Sequence, residues 1–197
     1  MTSSPPVSPL AFRCTSCGNC CRDLRVAVTS LDVARLAAST GSAPEALVDW
    51  LAPDAVDMTG EPESFVELSE GRRLMVLRHI QGACACLGPD NRCRAYAARP
   101  RDCRAFPFDF TDPAPANPSG RRLGLLPLDR CDYASDGHND EAALELEDRT
   151  RWLELHDYQT IVARWNRRTW HRRRLHHRAL GTAAAFLAFA LTPRPRT

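Results

Sequence analysis

Four cysteines fall within eight residues at Cys14-Thr15-Ser16-Cys17-Gly18-Asn19-Cys20-Cys21, a C-x2-C-x2-C-C run. A thiolate is a soft ligand suited to zinc, copper(I) or the iron of an iron–sulfur cluster. Two cysteines three apart in a turn aim both sulfurs at one centre, and Gly18 supplies the positive φ that such a turn needs. A chain with this run is organised by metal chemistry before it is organised by regular sheet or helix. Adjacent Cys20 and Cys21 are expected to diverge. They would then serve two sites, or give one ligand and one core thiol.

The other cysteines are Cys84, Cys86, Cys93, Cys103 and Cys131, nine in all, and an odd number cannot be fully paired in disulfides. Residues 1–10 are rich in Ser and Pro, with neither a basic n-region nor an apolar h-region. The expected compartment is the reducing cytoplasm, where clustered cysteines bind metal rather than each other. All 26 basic residues are Arg, and the formal net charge is only +2. Nothing in that balance points to nucleic acid.

The expected organisation is a flexible N-terminus over 1–11, a cysteine-cluster metal-binding domain over 12–135 and a helical extension over 136–197. The fold class is α+β: a small irregular cysteine-rich domain with little sheet and a long C-terminal helix. Thr29-Ser30-Leu31-Asp32 opens a helix that Gly41 stops, with Leu31, Ala34, Leu36 and Ala38 inside. Ser42-Ala43-Pro44-Glu45 reads as a capping box leading into a second helix through Leu51. Phe65–Leu68 and Leu74–Ile80 read as strands about a Glu70-Gly71 turn, and Leu123–Leu128 as a strand returning on Phe106–Phe110. Residues 112–120 read as a loop. Helix is expected from about Asn139, with Glu145/Arg149 and Glu147/Arg151 pairs and a core face of Leu155, Tyr158, Val162 and Trp165.

Cys14, Cys17 and Cys20 reproduce the three-cysteine spacing that holds three irons of a cubane cluster, for which Cys103 is a candidate fourth ligand and Cys93 and Cys84 are alternatives. Eight cysteines could also hold two tetrahedral zinc ions. Cys86 is the expected spare. Arg13, Arg22 and Arg25 flank the first group, and Arg92, Arg94, Arg99, Arg101 and Arg104 the second. Guanidinium groups there offset the charge of a thiolate site. His79, near Cys84, and His138, near Cys131, carry the ordinary expectation of structural histidines. No phosphate loop, G-x-S-x-G elbow or H-E-x-x-H motif is present.

Cys14-Thr-Ser-Cys-Gly-Asn-Cys-Cys-Arg22, Gly82-Ala-Cys84 and Cys93-Arg-Ala-Tyr-Ala-Ala-Arg-Pro-Arg-Asp-Cys-Arg-Ala-Phe-Pro107 together resemble the bacterial CxxCxxCC cysteine-cluster family. The resemblance covers about residues 12–110, and it implies a zinc- or iron-chelating domain. It assigns metal binding to Cys14, Cys17, Cys20, Cys21, Cys84, Cys93 and Cys103, to which Cys131 is added as a further ligand. Cys86 departs from the pattern, which has an aromatic or aliphatic residue there. Tyr96 and Phe106 are expected to roof the site.

The leading expectation is a metal-cofactor protein, iron–sulfur ahead of zinc, with a cluster on Cys14, Cys17, Cys20 and Cys103. One rival is a cluster-dependent oxidoreductase or group transferase. Another is a zinc-stabilised interaction module whose basic tail meets a partner. A redox role would suit an acidic protein partner. Residues 164–178 hold seven Arg and three His, and 179–191 carry no charge. This tail is expected to pack on the domain; its second reading is a membrane-surface contact through 164–191.

Overall fold

The computed structural model describes residues 8–56, 61–111, 122–128, 131–173 and 181–192. Helix α2 (Ser30–Thr40) follows a short helix α1 (Cys20–Asp23) and is fixed at both ends by its own sequence. The Asp32 amide donates to the Thr29 hydroxyl at 3.2 Å, and the Thr29 amide donates to the Asp32 carboxylate at 2.9 Å. Gly41 closes the helix at φ +68°. The buried face is rotated from the expected one. Val33 and Leu36 are buried at 0% and 1% exposure, with Ala37 beside them, whereas Leu31 is 44% exposed. Positions 33, 36 and 37 form the i, i+3, i+4 stripe that faces the core.

The second predicted helix is cut to one turn, α3 (Pro44–Leu47), whose N-cap is Ala43 rather than Ser42. Val48–Leu51 is strand β2 instead. It pairs antiparallel with β4 (Gly71–Leu77), which pairs on its other edge with β3 (Val66–Leu68), so the sheet order is β2-β4-β3. Val48 and Trp50 are good strand formers, and the open edge of β4 supplies hydrogen bonds that a lone helical turn lacks. Leu74, Met75, Val76 and Leu77 are all buried, so both faces of β4 are covered. Beyond β3, the segment Val26–Val28 continues that edge through Leu77 N to Val26 O at 2.9 Å and Val28 N to Met75 O at 3.0 Å. The chain leaving α1 is thereby tied to the central strand.

Small two-stranded ladders complete the sheet content. They join β1 (Arg13–Cys14) with β9 (Tyr133–Ala134), β5 (His79–Ile80) with β6 (Ala83–Cys84), and β7 (Phe108–Thr111) with β8 (Arg122–Leu125). The last is the expected return on Phe106–Phe110. Helix α4 (Arg101–Ala105) carries Cys103. Pro9–Ala11, within the expected flexible lead-in, forms a 3-10 turn, and the Asn139 side chain donates to the Phe12 carbonyl at 2.6 Å. The loop expected over 112–120 lies outside the described residues.

Helix α5 (Glu141–Arg173) presents Tyr158, Val162 and Trp165 to the core at 3%, 0% and 6% exposure. Trp165 and Asn166 also hydrogen-bond the backbone of Glu67 and Phe65 beside β3, each at 2.9 Å. Helix α6 (Ala183–Leu191) uses its apolar run on the same core. Phe186, fully buried, makes edge-on contacts with Trp50, Tyr158 and Trp165 at 5.8, 6.3 and 5.5 Å between ring centroids. Residues of α2, β4, α5 and α6 thus share one hydrophobic cluster. Among the described residues no helix is long and apolar enough to cross a membrane.

Phe186→Ala removes the ring on which three aromatics converge. It should lower the unfolding free energy by about 3–5 kcal/mol in urea titration; a loss below about 1 kcal/mol would mean that α6 contributes little to the core.

Candidate metal centre

Local turns with evident causes deliver the cysteines of the first loop, of the β5–β6 hairpin and of α4. Gly18 adopts φ +77°, and a Cβ there would stand 2.8 Å from the Arg22 guanidinium and 3.3 Å from Asn91. The close approach folds the first loop onto the second, and Arg22 reinforces it by donating to Asn91 Oδ1 at 2.5 Å. Ser16 also has a positive φ, +60°, and its amide donates to Cys14 Sγ at 3.4 Å. The β5–β6 hairpin presents Cys84, whose sulfur accepts from the Cys86 amide at 3.5 Å. Cys93 bridges Leu87, and Arg94 N donates to Cys86 O at 2.8 Å. Pro100 ends an extended Arg99 and lets α4 begin at once, as its fixed φ favours.

An ionic lattice holds α4, and with it Cys103, against the core. The first amide of α4, Arg101 N, donates to Asp32 Oδ1 at 3.1 Å. The same oxygen accepts from Arg35 at 2.5 Å. Arg35 and Arg101 meet on Glu154 at 2.7 and 3.0 Å, and Arg101 also grips Glu147 at 2.7 and 2.9 Å. Arg151 joins Asp148 at 2.9 Å and Asp102 at 3.4 Å. Burial alone would push the Glu154 carboxyl up, but hydrogen bonds from Arg35 and Arg101 outweigh it and hold it below the ordinary carboxylate range.

All nine cysteines line one cavity of about 950 Å³. Cys20, Cys84, Cys93 and Cys103 form its inner group: each lies within electrostatic reach of the other three. Cys17 and Cys131 are in thiol–thiol contact, with Cys14 and Cys20 nearby. Cys21, expected to diverge from Cys20, touches it and donates to it. Among the described residues, no three His, Cys, Asp or Glu side chains are drawn together closely enough to hold a single metal ion.

The protons follow from these contacts. Donation from Cys21 draws Cys20 down to about 6 against the opposing effect of burial, and Cys86 draws Cys84 down to about 7 in the same way. Cys21 and Cys86 keep their protons and are pushed up. Burial, then repulsion by Cys84, pushes Cys103 up; burial also raises Cys93. Burial and Cys17 raise Cys131 to about 12. Crowded, desolvated thiols resist becoming anions together, and a central cation is the charge that reverses this. The donor set therefore fits a thiophilic metal ion or cluster.

The flanking arginines divide by task. Arg94 and Arg104 donate to loop carbonyls of Ala85 and Arg99, at 2.5 and 3.0 Å, and so hold the second group of cysteines in shape. Arg99 stacks on Tyr96, 3.7 Å from guanidinium carbon to ring centroid, and its charge favours the anionic forms of Cys20 and Cys93. Tyr96 and Phe106 both line the cavity, Tyr96 being 55% exposed.

Residues 13–122 match the CxxCxxCC family, described as a "putative zinc- or iron-chelating domain". The chain belongs to the CxxCxxCC family. No curated protein and no solved structure matches it. As a CxxCxxCC protein it is a metal-binding chain for which zinc or iron is the expected metal. The match stops before Cys131, α5 and α6.

The CxxCxxCC cavity brings together every cysteine the sequence nominates. Cys20 and Cys103 face Cys84 and Cys93, while Cys14 and Cys17 stand with Cys131. His79 lies opposite Cys84 across the β5–β6 ladder and lines the cavity; burial, then Arg25, lowers its pKa. His138 is exposed and outside it. Sequence reasoning missed Asp32, Arg35 and Glu154 as supports of Cys103. The buried Asp at the third position of α2 was the available signal.

Because Glu154 titrates below the ordinary glutamate value of about 4.3, its share of stability is complete above that ordinary value and is lost as pH falls through the lower folded-state value. Glu154→Gln should lower stability at about pH 7 and flatten the loss of stability below about pH 4.5, read by urea unfolding at each pH. An unaltered acid limb would mean that the lattice does not anchor α4.

Proposed function

We propose that this CxxCxxCC chain is a metal-cofactor protein whose inner cysteines, Cys20, Cys84, Cys93 and Cys103, hold an iron–sulfur cluster. The set shares Cys20 and Cys103 with the sequence expectation and replaces Cys14 and Cys17. One observation carries the reading. Four thiols from three separate segments interact mutually across the cavity. Four cysteine thiolates are the usual complement of a cubane iron–sulfur cluster, and of a structural zinc ion as well.

A bound cluster would supply one-electron transfer, at a potential set by hydrogen bonds to sulfur and by nearby charge. The chain's own residues furnish both. The Cys86 amide donates to Cys84 Sγ, and the Arg99 charge acts on Cys20 and Cys93. Tyr96 and Phe106 limit water at the mouth, while Cys21 and Cys86 retain protons beside their ionised neighbours. A cluster-dependent enzyme is the second reading. The cavity of about 950 Å³ is of the size that takes small molecules, about 300–1,000 Å³, and it runs on past the thiols to Val56, Leu74 and Leu36. An acidic protein partner at the Arg99 side would suit either reading.

The test is the visible spectrum of protein purified without oxygen, with iron, sulfide and zinc assayed on the same sample. Brown protein with matched iron and sulfide is expected, and Cys84→Ser or Cys103→Ser should abolish both. Colourless protein carrying only zinc would overturn the cluster.

A further inference from the structure

The outer end of the cavity holds a pair of thiols that the inner group does not use, and the β1–β9 ladder places them. Its register sets Arg13 opposite Ala134 and Cys14 opposite Tyr133, and one step further the Thr15 hydroxyl donates to the Asp132 carbonyl. The next step in that register would bring Ser16 to Cys131. Ser16 instead turns left-handed at φ +60°, as the extra residue of a bulge does, and the Cys17 thiol meets that of Cys131. Arg13 fastens the ladder at its other end by gripping both oxygens of Asp136 at 2.8 and 3.0 Å.

Residues facing each other across antiparallel strands have Cα atoms about 4.5–5.5 Å apart, inside the span of about 4.4–6.8 Å that a disulfide bridges. Touching thiols on such a frame can join with little movement of the backbone. Both are half-buried and the neighbouring Cys14 is exposed, so a small oxidant reaches them from the mouth. Cys131 lies beyond residues 13–122, so the family match does not cover the pair.

We infer that Cys17 and Cys131 are an oxidation site: a low-molecular-weight disulfide joins them, and the new bond latches the Cys14 loop to β9. The Cys17 thiolate attacks one sulfur of the small disulfide, whose S–S bond breaks and releases one thiol. The Cys131 thiol gives up its proton to solvent, attacks the Cys17 sulfur of the mixed disulfide and releases the second thiol. The chain loses two hydrogens and the oxidant gains them. Cys20, Cys84, Cys93 and Cys103 stay free to hold metal, so the latch goes beyond the proposed function and does not depend on which metal is bound.

The full chain, purified without oxygen, is treated with oxidised glutathione, its remaining free thiols are blocked, and it is digested with trypsin. Residues 14–22 should be recovered joined to residues 131–149. Cys17→Ser and Cys131→Ser should each abolish that link, and Cys14→Ser should keep it. Hydrogen exchange of residues 13–19 should slow by about tenfold on oxidation, because the bond opposes local opening of the ladder. Iron, sulfide and zinc contents should not change. A chain that forms no internal link, that links Cys14 or an inner cysteine instead, or whose exchange does not slow would overturn the latch. So would one that sheds its metal as the link forms, since the pair would then be ligands. Colourless zinc protein in which the link forms as described would remove the cluster and leave the latch standing.

Discussion

The carboxylate of Asp32 carries two helices. It is 2% exposed and accepts from the Thr29 amide and hydroxyl, from Arg35 and from the first amide of α4. Leaving such a charge buried and unpaired would cost several kcal/mol, so its donors are held in place as firmly as it is. Val33 and Leu36 fix α2 in the core, and Asp32 transfers that fixed position to the helix bearing Cys103. Arg35 and Arg101 then converge on Glu154, so α5 acts as a wall of the core through Tyr158 and Val162 and as a clamp through Glu147, Arg151 and Glu154.

Against that rigid side stands a population of thiols that cannot all ionise together. Desolvation and mutual repulsion raise Cys103 and Cys93, and only the donors Cys21 and Cys86 allow Cys20 and Cys84 to ionise readily. The scaffold thus supplies position and leaves charge unbalanced. That is the condition in which metal binding contributes to folding, because a cation relieves repulsion that packing alone cannot. Cys86, the departure from the family pattern, keeps its proton and donates to Cys84 rather than standing as an inert core thiol.

What was legible in the sequence is what local chemistry decides. Thr29, Asp32 and Gly41 mark α2 within a dozen residues, and the β3–β4 hairpin and the buried stripe of α5 follow from period and turn residues. The fate of Val48–Leu51 was not local: the run is apolar enough for either state, and the free edge of β4 chose strand. Glu147 and Arg151 looked like mutual helix support, yet Glu147 takes Arg101 and Arg151 turns to Asp148 and Asp102. Arg35 and Glu154 lie 119 positions apart, and no periodicity announces such a pair. The cysteine grouping failed to show for a similar reason. Spacing reads Cys14, Cys17 and Cys20 as one run, but only the fold brings Cys84, Cys93 and Cys103 into reach of Cys20, and Cys131 into reach of Cys14 and Cys17.

That division implies unequal mechanics at the two ends of the cavity. The inner cysteines sit on elements fastened to β4 and to the Asp32 lattice, so moving them means disturbing the core. The outer ones depend on a two-residue ladder and on Arg13–Asp136, an ion pair with both side chains more than half exposed. Exposed pairs contribute about 0–1 kcal/mol and are weakened by salt. Segments held so lightly open locally far more often than a core does. Cys14, Leu24, Tyr96 and Leu126 are all exposed residues of the cavity lining, and Cys14 belongs to the weakly held side. Traffic into the cavity, whether of an ion, an electron partner or a small molecule, is therefore easiest past the Cys14 loop, where opening costs least and leaves the inner sulfurs in place.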